Sequence, residues 1–169
     1  MTVIEHKGED LSQLKVAWVG DGNNVANSWI QTAARLGFSL TLGCPKGYEP
    51  DEAILDEAIS VAEKPITVTN DPQEAVVGAD VINTDVWASM GQEGEAEERK
   101  RVFMPYQLNA SLLSLAKDDA IVLHCLPAHR GEEITEDVLE GANSVVWDQA
   151  ENKMHLQRAL LEWIMSPNE

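Results

Sequence analysis

Short apolar runs recur along the chain at Val16-Ala17-Trp18-Val19, Ser39-Leu40-Thr41-Leu42, Ile66-Thr67-Val68, Val81-Ile82, Ile121-Val122-Leu123 and Val145-Val146-Trp147. They are rich in β-branched residues and nearly continuous, the pattern of strands covered on both faces, as in a parallel sheet. Helical periodicity fills the intervals at 24–36, 51–63, 71–77, 109–115, 135–140 and 150–165. Strand alternating with helix predicts βαβ units, and so an α/β fold: a doubly wound, mainly parallel sheet with helices on both faces. Asp71 before Pro72 and Thr135 before Glu136 read as helix caps, whose side-chain oxygens would meet unpaired N–H groups of the first turn.

Two segments break the rhythm. Residues 84–108 hold Trp87, Ser89, Met90 and Gly91, then the charged run Glu93-Gly94-Glu95-Ala96-Glu97-Glu98-Arg99-Lys100-Arg101, then Pro105. A connection this long in a compact domain is expected to be a binding loop or lid, mobile without ligand. The run 93–101 by itself also fits a solvated helix. In the last helix, Leu156, Leu160, Trp163 and Ile164 fall on one face. Core packing within the domain is the first expectation, and a face for a second domain or for self-association is the alternative.

Size and charge narrow the picture. With 169 residues, 44% of them hydrophobic, one core and a single domain over 1–169 are expected. The 29 acidic against 12 basic residues, a formal charge of −17, argue against a nucleic acid or an anionic membrane surface as partner. Two cysteines, Cys44 and Cys125, do not make a secreted disulfide scaffold. No signal-like apolar stretch opens the sequence, and no run approaches the roughly 20 apolar residues of a membrane span. A cytoplasmic location is expected.

Three strand ends carry candidate chemistry. After the first strand comes Gly20-Asp21-Gly22-Asn23-Asn24, a glycine turn leading into a helix. Val25 stands where a dinucleotide fingerprint needs its third small residue, and no acid ends the second strand, so no cofactor is expected. Asn23 and Asn24 offer amides able to hold an amino acid's carboxylate and ammonium, and helix capping is the competing role for one of them. After Val81-Ile82 comes Asp85-Val86-Trp87-Ala88-Ser89-Met90-Gly91, where an acid, a hydroxyl and a thioether suit a cationic amine on an aliphatic stem. A turn-forming role for Asp85 is the alternative. After Ile121-Val122-Leu123 comes His124-Cys125-Leu126-Pro127-Ala128-His129-Arg130-Gly131. It fits a nucleophilic cysteine with a histidine partner, a metal site, or a polar pocket wall. Zinc needs four ligands, commonly in two spaced pairs, and only one such cluster exists, so no metal is expected.

Together, Val19-Gly20-Asp21-Gly22-Asn23-Asn24, Asp85-x-x-x-Ser89-Met90-Gly91 and His124-Cys125-Leu126-Pro127-x-His129-Arg130-Gly131 resemble the ornithine carbamoyltransferase family in order and spacing. Pro45-Lys46-Gly47-Tyr48-Glu49-Pro50 and Asp148-Gln149-Ala150-Glu151-Asn152 extend the likeness over residues 4–165. The resemblance implies a Rossmann-like, carboxyl-terminal ornithine-binding domain of an enzyme of arginine biosynthesis that joins L-ornithine to the carbamoyl group of carbamoyl phosphate. It implies that Asn24, Asp85, Ser89 and Met90 hold ornithine, while Cys125 and the Leu126 backbone face the reacting amine and carbamoyl group. Asp85 and Cys125 are the catalytic candidates.

Two departures qualify that expectation. The family's Ser-x-Arg-Thr-Arg phosphate loop and later His-Pro segment have no counterpart in these 169 residues, and residues 1–13 resemble the connection between the family's two domains. The chain by itself is therefore expected not to catalyse transfer. Lys153 stands where the family usually carries an arginine that grips carbamoyl phosphate, and an ammonium lacks the planar fork of a guanidinium. The rival expectations are a non-catalytic amino-acid-binding module, a carbamoyltransferase for a related amine, and a self-associating structural domain.

Overall fold

Five of the six apolar runs form strands: β1 (Lys15–Val19), β2 (Ser39–Gly43), β3 (Ile66–Thr69), β4 (Val81–Thr84) and β5 (Ile121–His124). They appear in a computed structural model that describes residues 1–88 and 93–166. All pair in parallel, in the order β3-β2-β1-β4-β5. The winding reverses between β1 and β4, and the carboxyl ends of strands at such a switch point are where doubly wound sheets bind ligands.

Alternation along β1 shows why the run must be apolar throughout. Val16 and Trp18 face one core with Ile30, Phe38, Leu40 and Leu42, whereas Ala17 and Val19 face the other with Ile82, Leu108, Val122, Ile134 and Leu139. Helices α2 (Asn24–Leu36) and α3 (Glu52–Val61) cover the first face. The short helices α4 (Pro72–Val76), α6 (Ala110–Leu113) and α7 (Glu136–Leu139) cover the second. Asp71 caps α4 as expected, its carboxylate accepting the Gln73 N–H at 2.9 Å.

Several expectations change. Val145-Val146-Trp147 is not a strand: Val145 precedes α8 (Val146–Met165), which starts four residues before the expected 150. The edge of β5 is instead closed by two backbone bonds, Val122 N–H to the Asn143 carbonyl and Val145 N–H to the Val122 carbonyl. One bridge, Val122 with Ser144, is all that remains of the sixth strand. Tertiary context has overridden the β-propensity of two valines and a tryptophan. Thr135 precedes α7 without a side-chain cap, and its hydroxyl lies against the Leu108 carbonyl instead, at 3.5 Å.

Residues 1–13 fold as helix α1 (Thr2–Lys7) and a 3-10 turn at Leu11–Gln13. Helix α1 lies on α8, through His6 to Asp148 (2.8 Å) and Asn152 Nδ2 to Thr2 Oγ1 (3.0 Å). The second half of 84–108 folds as α5 (Ala96–Phe103) and a 3-10 turn at Met104–Tyr106, with Phe103 and Tyr106 buried. The charged run is not a fully solvated helix, because Arg99 is also buried. The apolar face of α8 is not core: Leu156, Leu160, Trp163 and Ile164 are all exposed, Trp163 to 76%. Among the described residues, no helix is long and apolar enough to cross a membrane.

Candidate active site

The turn after β1 is shaped by two glycines. Gly20 adopts φ 139°, a conformation L side chains avoid. A Cβ on Gly22 would lie 2.3 Å from Glu49 C and Pro50 N, so only glycine allows this approach, which the Gly22 N–H to Tyr48 carbonyl bond (2.8 Å) seals. The turn delivers Asn23 and Asn24 to the start of α2 and divides their labour. Asn23 is the cap, its Oδ1 accepting from the Val25 and Ala26 N–H groups at 2.9 and 3.2 Å. Its Nδ2 donates to Asp85 Oδ2 at 3.0 Å. Asn24 remains exposed in the first helical turn.

Asp85 follows β4 and is buried. Its Oδ1 accepts from the Val86 N–H at 2.8 Å and from the Cys125 thiol at 3.0 Å, so with Asn23 the carboxylate meets three neutral donors. Among the described residues no Lys, Arg or His nitrogen lies within ion-pair distance of it. A buried carboxylate held by neutral donors has the chemistry to take up a cation.

Cys125 follows β5. Burial, then the hydrogen bond to Asp85 and its charge, push the thiol up to about 12, against the weaker pull of Lys153. At neutral pH it is a proton-bearing donor to Asp85, not a thiolate, which removes the nucleophilic-cysteine reading. The Asp85, His124 and Cys125 ligand atoms lie within 4.8 Å of one another. Both imidazole nitrogens are already engaged, with the Leu126 N–H and with Glu133, and the thiol keeps its proton, so this donor set does not suit zinc.

Beside Cys125 lies a cleft of about 210 Å³ walled by Thr2, Gln149, Asn152, Lys153 and Leu156. Lys153 Nζ reaches the Cys125 carbonyl at 3.4 Å. The structure thus brings Asp85, Cys125, Leu126 and Lys153 to one locale, with Asn24 beside it across Asn23. Ser89 and Met90 lie outside the described residues.

Three supporting residues went unread in the sequence. Arg99 reaches back from α5 to pair with Asp21 and bonds the Trp87 carbonyl. It stacks over Tyr48 and Phe103, 4.8 and 5.2 Å from the ring centroids. Burial raises the Asp21 carboxyl above the usual carboxylate range, while Arg99 pulls it down. Glu133, fully buried, accepts from His124 Nε2 (3.0 Å) and the His129 N–H (2.6 Å). Gln149 Oε1 accepts the His124 N–H at 2.9 Å. For Arg99 a signal existed: Arg99, Phe103 and Tyr106 recur at i, i+4 and i+7, one face of a helix.

The fold is a doubly wound domain whose three strand-end turns lie at the carboxyl ends of β1, β4 and β5, the end at which such sheets generally bind ligands. Residues 12–164 match the family model for the Asp/Orn binding domain of aspartate/ornithine carbamoyltransferase. The chain belongs to the aspartate/ornithine carbamoyltransferase family, as its Asp/Orn binding domain. It is 65% identical to the ornithine carbamoyltransferase of Desulfotalea psychrophila over 162 residues, which cover 96% of this chain and 53% of that protein. The ornithine carbamoyltransferase of Pyrococcus furiosus superposes with a TM-score of 0.92 at 48% identity, over 99% of this chain and 54% of its own. An N-acetyl-L-ornithine transcarbamylase superposes at 0.80 with 28% identity, over 94% of this chain and 52% of its own. The chain spans about half the length of the curated relatives it matches.

Proposed function

We propose that these residues form the ornithine-binding half of an ornithine carbamoyltransferase site, which makes citrulline and phosphate from L-ornithine and carbamoyl phosphate. The observation that carries the reading is Asp85, a buried carboxylate at the switch point with three neutral donors and no paired cation. The δ-ammonium of ornithine supplies the missing charge. Asn24, with Ser89 and Met90, takes the rest of the amino acid.

A free alkylammonium has a pKa of about 10.4, so it must lose a proton before its nitrogen can attack a carbonyl. Asp85 orients the ammonium and is the first acceptor for that proton. The amine lone pair then forms the C–N bond to the carbamoyl carbon, the C–O bond to phosphate breaks, and the second nitrogen proton leaves with phosphate. Cys125 keeps its proton and fixes Asp85, since the substrate amine is itself the nucleophile. Leu126 and Lys153 line the side from which carbamoyl phosphate approaches. The exposed apolar face of α8, beside Lys153 and Leu156, is read as the seat of the carbamoyl-phosphate domain, with self-association as the competing use.

Calorimetric titration with ornithine tests this, first on the chain alone and then with a separately made carbamoyl-phosphate domain of a relative and its ligand. Weak binding by the chain and strong binding by the mixture is the expected result. Micromolar binding by the chain alone overturns the dependence on the second half, and no binding in the mixture overturns the site.

A further inference from the structure

We infer that Glu133 and His124 are positioning residues: Glu133 fixes the imidazole as its Nε2–H tautomer, and the Nδ1 lone pair then orients the Cys125–Leu126 peptide in the site. The inference rests on the reading of Leu126 as part of an amine- and carbamoyl-binding wall.

The tautomer follows from the donors. A backbone N–H can only donate, and that of Leu126 lies 2.9 Å from His124 Nδ1. Nδ1 must therefore carry a lone pair, and the ring proton sits on Nε2. Nε2 in turn faces Glu133 Oε1 at 3.0 Å, an acceptor. The opposite tautomer would set N–H against N–H and a lone pair against a carboxylate oxygen. Both side chains are fully buried, so no solvent rearranges to offset that conflict. Glu133 is itself held by the His129 N–H, and the His124 N–H is taken by Gln149.

What the imidazole holds is one peptide plane, gripped at both ends: the Leu126 N–H by His124 Nδ1 and the Cys125 carbonyl by Lys153 Nζ. Leu126 has φ 54°, in the left-handed region. For a leucine that conformation is disfavoured, so the local bonds must over-determine it. The next residue is Pro127, so the Leu126–Pro127 peptide has no N–H, and its only polar group is the Leu126 carbonyl. Fixing the preceding peptide sets the direction from which that carbonyl meets a substrate N–H.

Two pairs of substitutions separate orientation from mere packing, read by the nitrogen shifts of His124 and the hydrogen exchange of the Leu126 amide in 15N-labelled protein. His124→Phe keeps the volume and loses the acceptor, whereas His124→Asn loses volume and keeps an oxygen near Nδ1. Positioning predicts that Leu126 exchange accelerates at least tenfold in His124→Phe and stays within about threefold in His124→Asn. A packing role predicts the reverse order and overturns the inference. Likewise Glu133→Gln, which retains an Oε1 acceptor for the Nε2–H, is expected to keep Leu126 exchange within about threefold, and Glu133→Met, which leaves that N–H unpaired and the ring unheld, to accelerate it at least tenfold. Unchanged Leu126 exchange in Glu133→Met overturns the positioning role of Glu133. If the wild-type chain shows the tautomer and the protected amide yet takes no ornithine with the second domain present, the positioning stands and the functional reading fails.

Discussion

The two ends of α8 live in different environments. At its start, Val146 is buried in the second core and Gln149 reaches the β5 backbone, so the helix is tied into the floor of the site. Two turns later, Leu156, Leu160, Leu161, Trp163, Ile164 and Met165 are all exposed. The floor pairs His124, Gln149 and Glu133 Oε1 within the domain, with Glu133 Oε2 left without a partner. The distal face carries apolar surface at about 25 cal/mol per Å² of driving force with nothing from this domain against it. One region is packed within the domain, and the other is exposed apolar surface that the proposed function assigns to a second domain. Substitutions in the floor should therefore change this chain by itself, and substitutions on distal α8 only what it joins.

The largest effect is expected at Asp85. Asp85→Asn removes the buried charge and sets a second amide against Asn23, so ornithine affinity in the two-domain mixture should fall about 100-fold or more, measured by calorimetry. Next comes Gly22→Ala, whose Cβ would meet the 49–50 backbone at 2.3 Å. Overpacking against backbone costs about 1–3 kcal/mol, seen as a lower urea midpoint at unchanged slope.

A chemical contrast follows. Cys44 and Cys125 both have thiols pushed up to about 12, chiefly by burial, so iodoacetamide should modify the folded chain slowly at pH 8 and the unfolded chain quickly. Because the folded thiols keep their protons where ordinary ones release them near 9.0, unfolding titrations should show stability falling as pH rises from about 9 toward 12. Asp85→Asn removes one cause at Cys125 and none at Cys44, so only Cys125 alkylation should accelerate. The smallest effect is expected at Leu160→Ser with Trp163→Ser. It should leave the chain's stability within about 0.5 kcal/mol by urea unfolding, while weakening assembly with the second domain in sedimentation. A large loss of stability there would erase the difference between the two ends of α8.

These effects also mark what the sequence made legible. Strands β1 to β5 were readable because burial on both faces demands continuous apolar runs, and α2 and α4 because Asn23 and Asp71 announce their starts. The site's three turns were readable because each follows such a run. Val145-Val146-Trp147 misled because its strand-like composition could not reveal that Asn143 and Val145 use up the β5 edge. Arg99 and Glu133 were hidden for a related reason. A charge in a polar stretch reads as solvent-facing, and only the fold shows Asp21 waiting for one and His124 for the other. The exposed face of α8 was visible as a stripe, but periodicity cannot say which domain covers it.

The most direct test of the half-site account is citrulline formation. The account predicts turnover when the chain is mixed with a separately made carbamoyl-phosphate domain and both substrates, and none from either part alone or from the Asp85→Asn mixture. Citrulline from the 169-residue chain alone, or undiminished turnover with Asp85→Asn, would contradict it.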